Sequence, residues 1–104
     1  MTILTLDERK VAPLTAVERK SLKGRAHKLD PVVLIGAKGL TPEVVAEITL
    51  ALKAHELIKV RAPAQDRHQR AEIFKQACLK TESELVQEIG KVAVLYKKWD
   101  TPKA

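Results

Sequence analysis

The sequence predicts an α+β domain of two layers, in the order α-β-α-β-α-β-β, with a mixed four-stranded sheet. Three observations predict it. Helical segments open on capping signals at Thr15, Thr41 and Asp66. Short β-branched runs follow the first two helices, at Val32–Ile35 and Leu57–Ala62. Two more runs, Leu85–Ile89 and Val92–Tyr96, are separated only by Gly90-Lys91, a pair that suits a hairpin turn with glycine first.

Each element has a local reason. Thr15-Ala16-Val17-Glu18 is a capping box, and the helix it starts should run to about Leu29, where Asp30-Pro31 stops it. At 100° per residue Leu22, Ala26 and Leu29 form its buried stripe, while Lys20, Lys23 and His27 share another face. Continuous apolarity in Val32–Ile35 predicts an interior strand covered on both faces. The second helix has Thr41 as cap, Pro42 at the first helical position and Glu43 complementing the dipole, and it reaches about Ala54. Ile58, Val60 and Ala62 alternate with Lys59 and Arg61. The third helix should bury Ala71, Phe74, Ala77 and Cys78 and end near Lys80. The strand–helix–strand order makes the first two strands parallel.

The chain divides into an arm at 1–13, a domain at 14–98 and a tail at 99–104. The arm has no signal-peptide pattern, and no apolar run approaches the ~20 residues of a membrane span, so a cytoplasmic protein without a membrane partner is expected. One cysteine excludes a disulfide framework. His27, His55, His68 and Cys78 lack metal-ligand spacing, and neither a metal nor a cofactor is expected.

Charge gives the first functional pointer. The chain carries 19 basic and 13 acidic residues, a net +6. Leu14–Gly39 alone holds six basic residues against Glu18 and Asp30, so +4 of that charge lies in a quarter of the chain. Such a balance fits a polyanionic partner, although a solvated helix surface carries the same charges. Aromatics are only 3%, which argues against readers that stack bases on aromatic platforms.

Gly36-Ala37-Lys38-Gly39 sits between a strand and a helix start. Glycine lets another backbone come close, and a helix N-terminus favours phosphate. The spacing is neither G-x-G-x-x-G nor a G-K-[ST] loop, so nucleotide sites are poorly supported. A GxxG loop clamping a nucleic-acid backbone fits better. Lys20, Lys23, Arg25 and Lys38 would supply salt-sensitive, sequence-independent attraction, with His27 a further phosphate contact. Amides opening the Thr41 helix would help hold a phosphate, and Lys59 and Arg61 would widen the footprint.

Several segments in order then resemble one family. They are Leu22-Lys23-Gly24-Arg25-Ala26-His27, Pro31–Thr41 with its glycine loop, His55-Glu56-Leu57-Ile58-Lys59-Val60, and Gln87–Lys91 through Val94–Lys97. The chain is similar over Leu14 to about Lys98 to the CRM domain family (chloroplast RNA splicing and ribosome maturation), in its stand-alone bacterial YhbY form. The resemblance implies a fold akin to the C-terminal domain of translation initiation factor three and RNA binding without catalysis. It also implies association with ribosomal RNA in precursors of the large ribosomal subunit. It maps the family's glycine loop onto Gly36, Ala37, Lys38 and Gly39. The basic segment maps onto Lys23, Arg25 and His27, with Lys59 and Arg61 on the second strand. Asp30 departs from the pattern by placing a negative charge near the expected surface. The expected partner is RNA and the expected state a monomer. A protein–protein adaptor in a ribosome-associated or RNA-processing complex is the alternative, and a small enzyme acting on phosphate-containing substrates is a third reading. Charge alone does not separate RNA from DNA.

Overall fold

The computed structural model describes residues 14–98, so the arm and the tail fall outside the described residues. Within that range the chain forms α1 (Ala16–Ala26), β1 (Pro31–Leu34), α2 (Pro42–His55), β2 (Leu57–Arg61), α3 (Arg67–Thr81), β3 (Glu84–Ile89) and β4 (Val92–Tyr96). The sheet order is β1-β2-β4-β3. β1 runs parallel to β2, and β4 lies antiparallel between β2 and β3. The element order and mixed sheet match expectation.

The caps close as the sequence specifies. The Glu18 amide donates to Thr15 Oγ1 at 3.0 Å, and the Thr15 amide donates back to Glu18 Oε1 at 2.9 Å. At α3 the Gln69 amide donates to Asp66 Oδ1 at 2.8 Å, and the Asp66 amide to Gln69 Oε1 at 3.2 Å. Gly90 takes a φ of +56°, the left-handed value that the hairpin turn requires of its first residue.

Alternation along the strands settles the layering. Ile58 and Val60 of β2, with Ala93 and Leu95 of β4, pack with Ile48, Leu52, Phe74 and Ala77 of α2 and α3. Leu57 and Val94 face the other way and pack with Val86 of β3 and with Leu22 and Ala26 of α1. Helices therefore pack on both faces of the sheet, giving three layers where two were expected. Hydrophobic residues on both faces of β2 and β4 demand this arrangement.

Three local expectations are corrected. α1 ends at Ala26 rather than near Leu29. The early exit brings Pro31 into register with Lys59, whose Nζ donates to the Leu29 carbonyl at 2.9 Å. Leu29 is consequently 36% exposed and leaves the buried stripe. β1 is an edge strand rather than an interior one, because β4 occupies the far side of β2. Its Val33 is buried, but Val32 and Leu34 are 50% and 58% exposed. Ala71 is exposed on α3, whereas Phe74, Ala77 and Cys78 are buried as expected.

α3 stops in a way the sequence does not advertise. Glu82 adopts φ 55°, ψ 44°, and the Ser83 amide donates to the Cys78 carbonyl at 2.9 Å. A side chain in this left-handed well is strained, and glycine is the residue that relieves it. Replacing exposed Glu82 by Gly should raise stability by about 0.5–1 kcal/mol in urea unfolding. A loss of stability would show that the Glu82 side chain makes a compensating interaction.

Candidate nucleic-acid interface

Topology gathers the glycine loop and several distant segments at one end of the sheet. β1 and β2 are parallel, so the 36–41 loop and the 62–66 loop leave the same end. Val92 pairs with Arg61, which brings the Gly90-Lys91 turn there too. The starts of α2 and α3 complete the group. Side chains tie it together. Gln65 Nε2 donates to the Gly36 carbonyl at 2.6 Å. Arg70 donates through Nη1 to the Gln65 carbonyl at 2.7 Å and through Nε to the Gly90 carbonyl at 3.1 Å. The Ala62 amide donates to the Lys91 carbonyl at 2.9 Å. Gln65 is buried, and its Oε1 has no hydrogen-bond partner among the described residues.

The two glycines of the loop differ. Gly36 and Gly39 close a tight turn, with the Gly39 amide donating to the Gly36 carbonyl at 3.0 Å. Gly39 has a φ of +76°, and a Cβ there would touch Ile73 at 3.8 Å. The fold itself explains that glycine. Gly36 lacks a positive φ, and a Cβ added to it would meet nothing within 4 Å. Nothing inside the described chain demands glycine there.

Between the glycines, Ala37 and Lys38 are exposed, and their amides have no partner among the described residues. The α2 start offers less. Pro42 has no amide proton, Val44 donates to Thr41 Oγ1 at 3.2 Å, and Val45 donates to the Thr41 carbonyl at 3.0 Å. Only the Glu43 amide of that first turn is unspent among the described residues, and it belongs to an acidic residue. A phosphate placed at this loop would therefore meet the turn amides and Lys38 more than the helix.

The basic residues separate into those used by the fold and those left to solvent. Half-buried Arg19 donates through Nη1 to the carbonyls of Leu85 and Val86, at 2.7 and 3.0 Å. It pins α1 to β3. Lys59 holds the Leu29 carbonyl, so it bears on the chain's path before it bears on a ligand. Lys20, Lys23, Arg25, His27, Lys38 and Arg61 are exposed. On α1, Lys20, Lys23 and His27 share a flank, but Arg25 lies roughly 140° from Lys20 around the helix, on the other side of the buried stripe. One flat partner could not engage both flanks equally.

Gly36, Ala37, Lys38, Gly39, Thr41 and Arg61 thus come together at one end of the sheet. α1 instead leads into the start of β1, about 13 Å of strand away. Between these clusters lies a shallow, open groove lined by Pro31, Val32, Val33, Leu34 and Arg61. Sequence reasoning missed Val32 and Leu34 as surface. It also missed the exposed Arg67 and Lys91 at the loop end. Only the insertion of β4 beside β2 brings Lys91 close to Arg61 in space, so no local signal could have found it.

The described residues hold no cluster of three or more His, Cys, Asp or Glu side chains placed to bind a metal ion. Burial pushes the Cys78 thiol up to about 11, outweighing a hydrogen bond with Ser83, and nearby Glu84 raises it further. A thiol so disposed is a poor nucleophile at neutral pH. No helix among the described residues is long and apolar enough to cross a membrane.

Comparison with known proteins agrees with this architecture. The family model described as the CRS1 / YhbY (CRM) domain matches residues 14–97. A Pseudomonas aeruginosa protein named as a probable RNA-binding protein is 40% identical over 89 residues, covering 86% of each chain. A Haemophilus influenzae protein named RNA-binding protein is 44% identical over 84 residues, covering 81% of this chain and 85% of its own. The solution structure of a hypothetical protein from Staphylococcus aureus superposes with a TM-score of 0.75 at 32% identity. That match covers 85% of this chain and 92% of the other. The family model over 84 consecutive residues and the identity and extent of these matches agree: the chain belongs to the CRS1/YhbY (CRM) domain family.

Proposed function

We propose that this protein binds RNA without catalysing a reaction on it, and that its ligand is ribosomal RNA in precursors of the large ribosomal subunit. The observation that carries the RNA reading is Gly36. Its φ is not positive and its described surroundings would accept a side chain, so a glycine there, between a strand end and a helix start, leaves room for the close approach of a partner backbone. The exposed Lys38 and the unspent amides of Ala37 and Lys38 lie beside it and suit a phosphate. The names carried by the Pseudomonas and Haemophilus relatives support the same ligand class. The large-subunit part of the reading draws on the family resemblance.

In this reading the Gly36–Gly39 turn approaches the sugar–phosphate backbone, and Lys38 neutralises a phosphate. Thr41 Oγ1 already accepts from the Val44 amide, but its own proton remains available to donate. Arg61 extends the positive surface along the sheet. Lys20, Lys23 and His27 on one flank of α1, or Arg25 on the other, add attraction that weakens as salt rises. Lys59 contributes mainly by holding the segment before β1 in place.

Two measurements test the reading. Gly36→Ala should leave stability within about 0.5 kcal/mol and weaken RNA binding about tenfold, while Gly39→Ala should cost about 1–2 kcal/mol of folding stability. Unchanged RNA affinity in a folded Gly36→Ala protein would remove the loop from the interface. In-cell crosslinking with sequencing of the attached RNA should enrich large-subunit ribosomal RNA. A scatter over messenger RNAs without that enrichment would leave RNA binding but contradict the ribosomal role.

A further inference from the structure

We infer that the exposed face of β1 is a shelf for an unpaired nucleobase, so that the RNA is single-stranded where it crosses the Gly36–Gly39 loop. This inference rests on the RNA-binding reading of that loop and adds the form of the ligand. Val32 and Leu34 are 50% and 58% exposed, although they belong to a sheet whose neighbouring strands are packed on both faces. The register explains their position. Pro31 pairs with Lys59 and Val33 with Val60, so Val32 is an extra residue in the ladder. A bulge of this kind re-aims a side chain and recurs beside functional sites. Leu34 pairs with Arg61, which places their side chains on one face.

These groups meet in one groove, lined by Pro31, Val32, Val33, Leu34 and Arg61. Four of its five lining residues are apolar and the fifth carries a guanidinium. Phosphate has no use for an apolar lining. A nucleobase does, because its flat face can cover Val32 and Leu34 while the Arg61 plane stacks on it or its fork bonds to the base edge. Gly36 follows Leu34 by two residues, at most about 7 Å of chain, so a nucleotide whose backbone lies on the loop has its base beside the shelf. A duplex buries its base faces in stacking and would offer this groove nothing. The described aromatic residues, Phe74 and Tyr96, both belong to the packed clusters, so the shelf uses aliphatic carbon and arginine where other readers use rings.

The test uses fluorescence anisotropy with three probes of equal length, of which the two single strands carry the same phosphate charge. They are a mixed-sequence single-stranded RNA of about 12 nucleotides, the same strand with abasic sites, and a duplex. The wild-type protein should bind the base-bearing strand about tenfold more tightly than the abasic one. The double variant Val32→Ser, Leu34→Ser should lose that preference while keeping its dependence on salt. Equal wild-type affinity for the base-bearing and abasic strands would overturn the shelf without need of any variant. So would a folded double variant that binds like wild type, which would give the strip to another occupant such as a peptide added at the sheet edge. Lys38→Ala separates the two levels. If it weakens binding while the double variant does not, the shelf fails and the loop reading stands. If neither variant changes affinity, both fail.

Discussion

The whole structure answers to one demand: β4, and β2 at its Leu57 end, carry buried apolar side chains on both faces, and both must be dried. Ile58, Val60, Ala93 and Leu95 point to one side, and Leu57 and Val94 to the other. α2 and α3 cover the first side together. Among the described residues the second side has only α1, a helix of 11 residues. It lies over β2, β4 and β3 through Leu22 and Ala26, and Arg19 fixes it to the β3 backbone. With α1 placed there, no other described element covers Val32 and Leu34 of β1. The exposed strip of Val32 and Leu34 is thus a consequence of how the core is closed.

The same closure organises the polar surface. The parallel pairing of β1 and β2 sends the glycine loop and the 62–66 loop to one end, and the β3–β4 turn joins them. Gln65 and Arg70 spend their hydrogen bonds on the Gly36, Gln65 and Gly90 carbonyls. The loop is therefore held from beneath while Ala37 and Lys38 face out. Preorganisation of this kind lowers the ordering cost of binding. Among the described basic residues, Arg19, Lys59, Arg70 and Lys97 donate to carbonyls of the fold, whereas Lys38 and Arg61 are exposed.

Much of this was legible in the sequence, because local rules govern it. Capping boxes at Thr15 and Asp66, the Thr41-Pro42 start and the Gly90-Lys91 turn each rest on bonds within a few residues, and they formed as read. What depends on partners distant in sequence was not legible. Val32–Ile35 reads as an interior strand, yet its placement at the edge follows from β4 inserting beside β2. Leu29 fits the apolar stripe by angle, but the pairing of Pro31 with Lys59 ends the helix first. Glu82 in a left-handed cap defies the glycine rule and gave no signal. In the candidate site, the glycine loop was visible as a motif. That Arg19 is consumed by β3 carbonyls, and that Arg25 lies on the other flank of α1 from Lys20, required the packed helix.

The central claim is that one end of the sheet, with the adjoining face of β1, meets the RNA. Amide chemical shifts of the labelled protein, followed as single-stranded RNA is added, address it most directly. The account predicts progressive shifts across Val32–Gly39 and at Arg61, with little change around Lys53–His55 and Lys80–Ser83 at the opposite ends of α2 and α3. Shifts concentrated at those opposite ends, with the glycine loop silent, would contradict it.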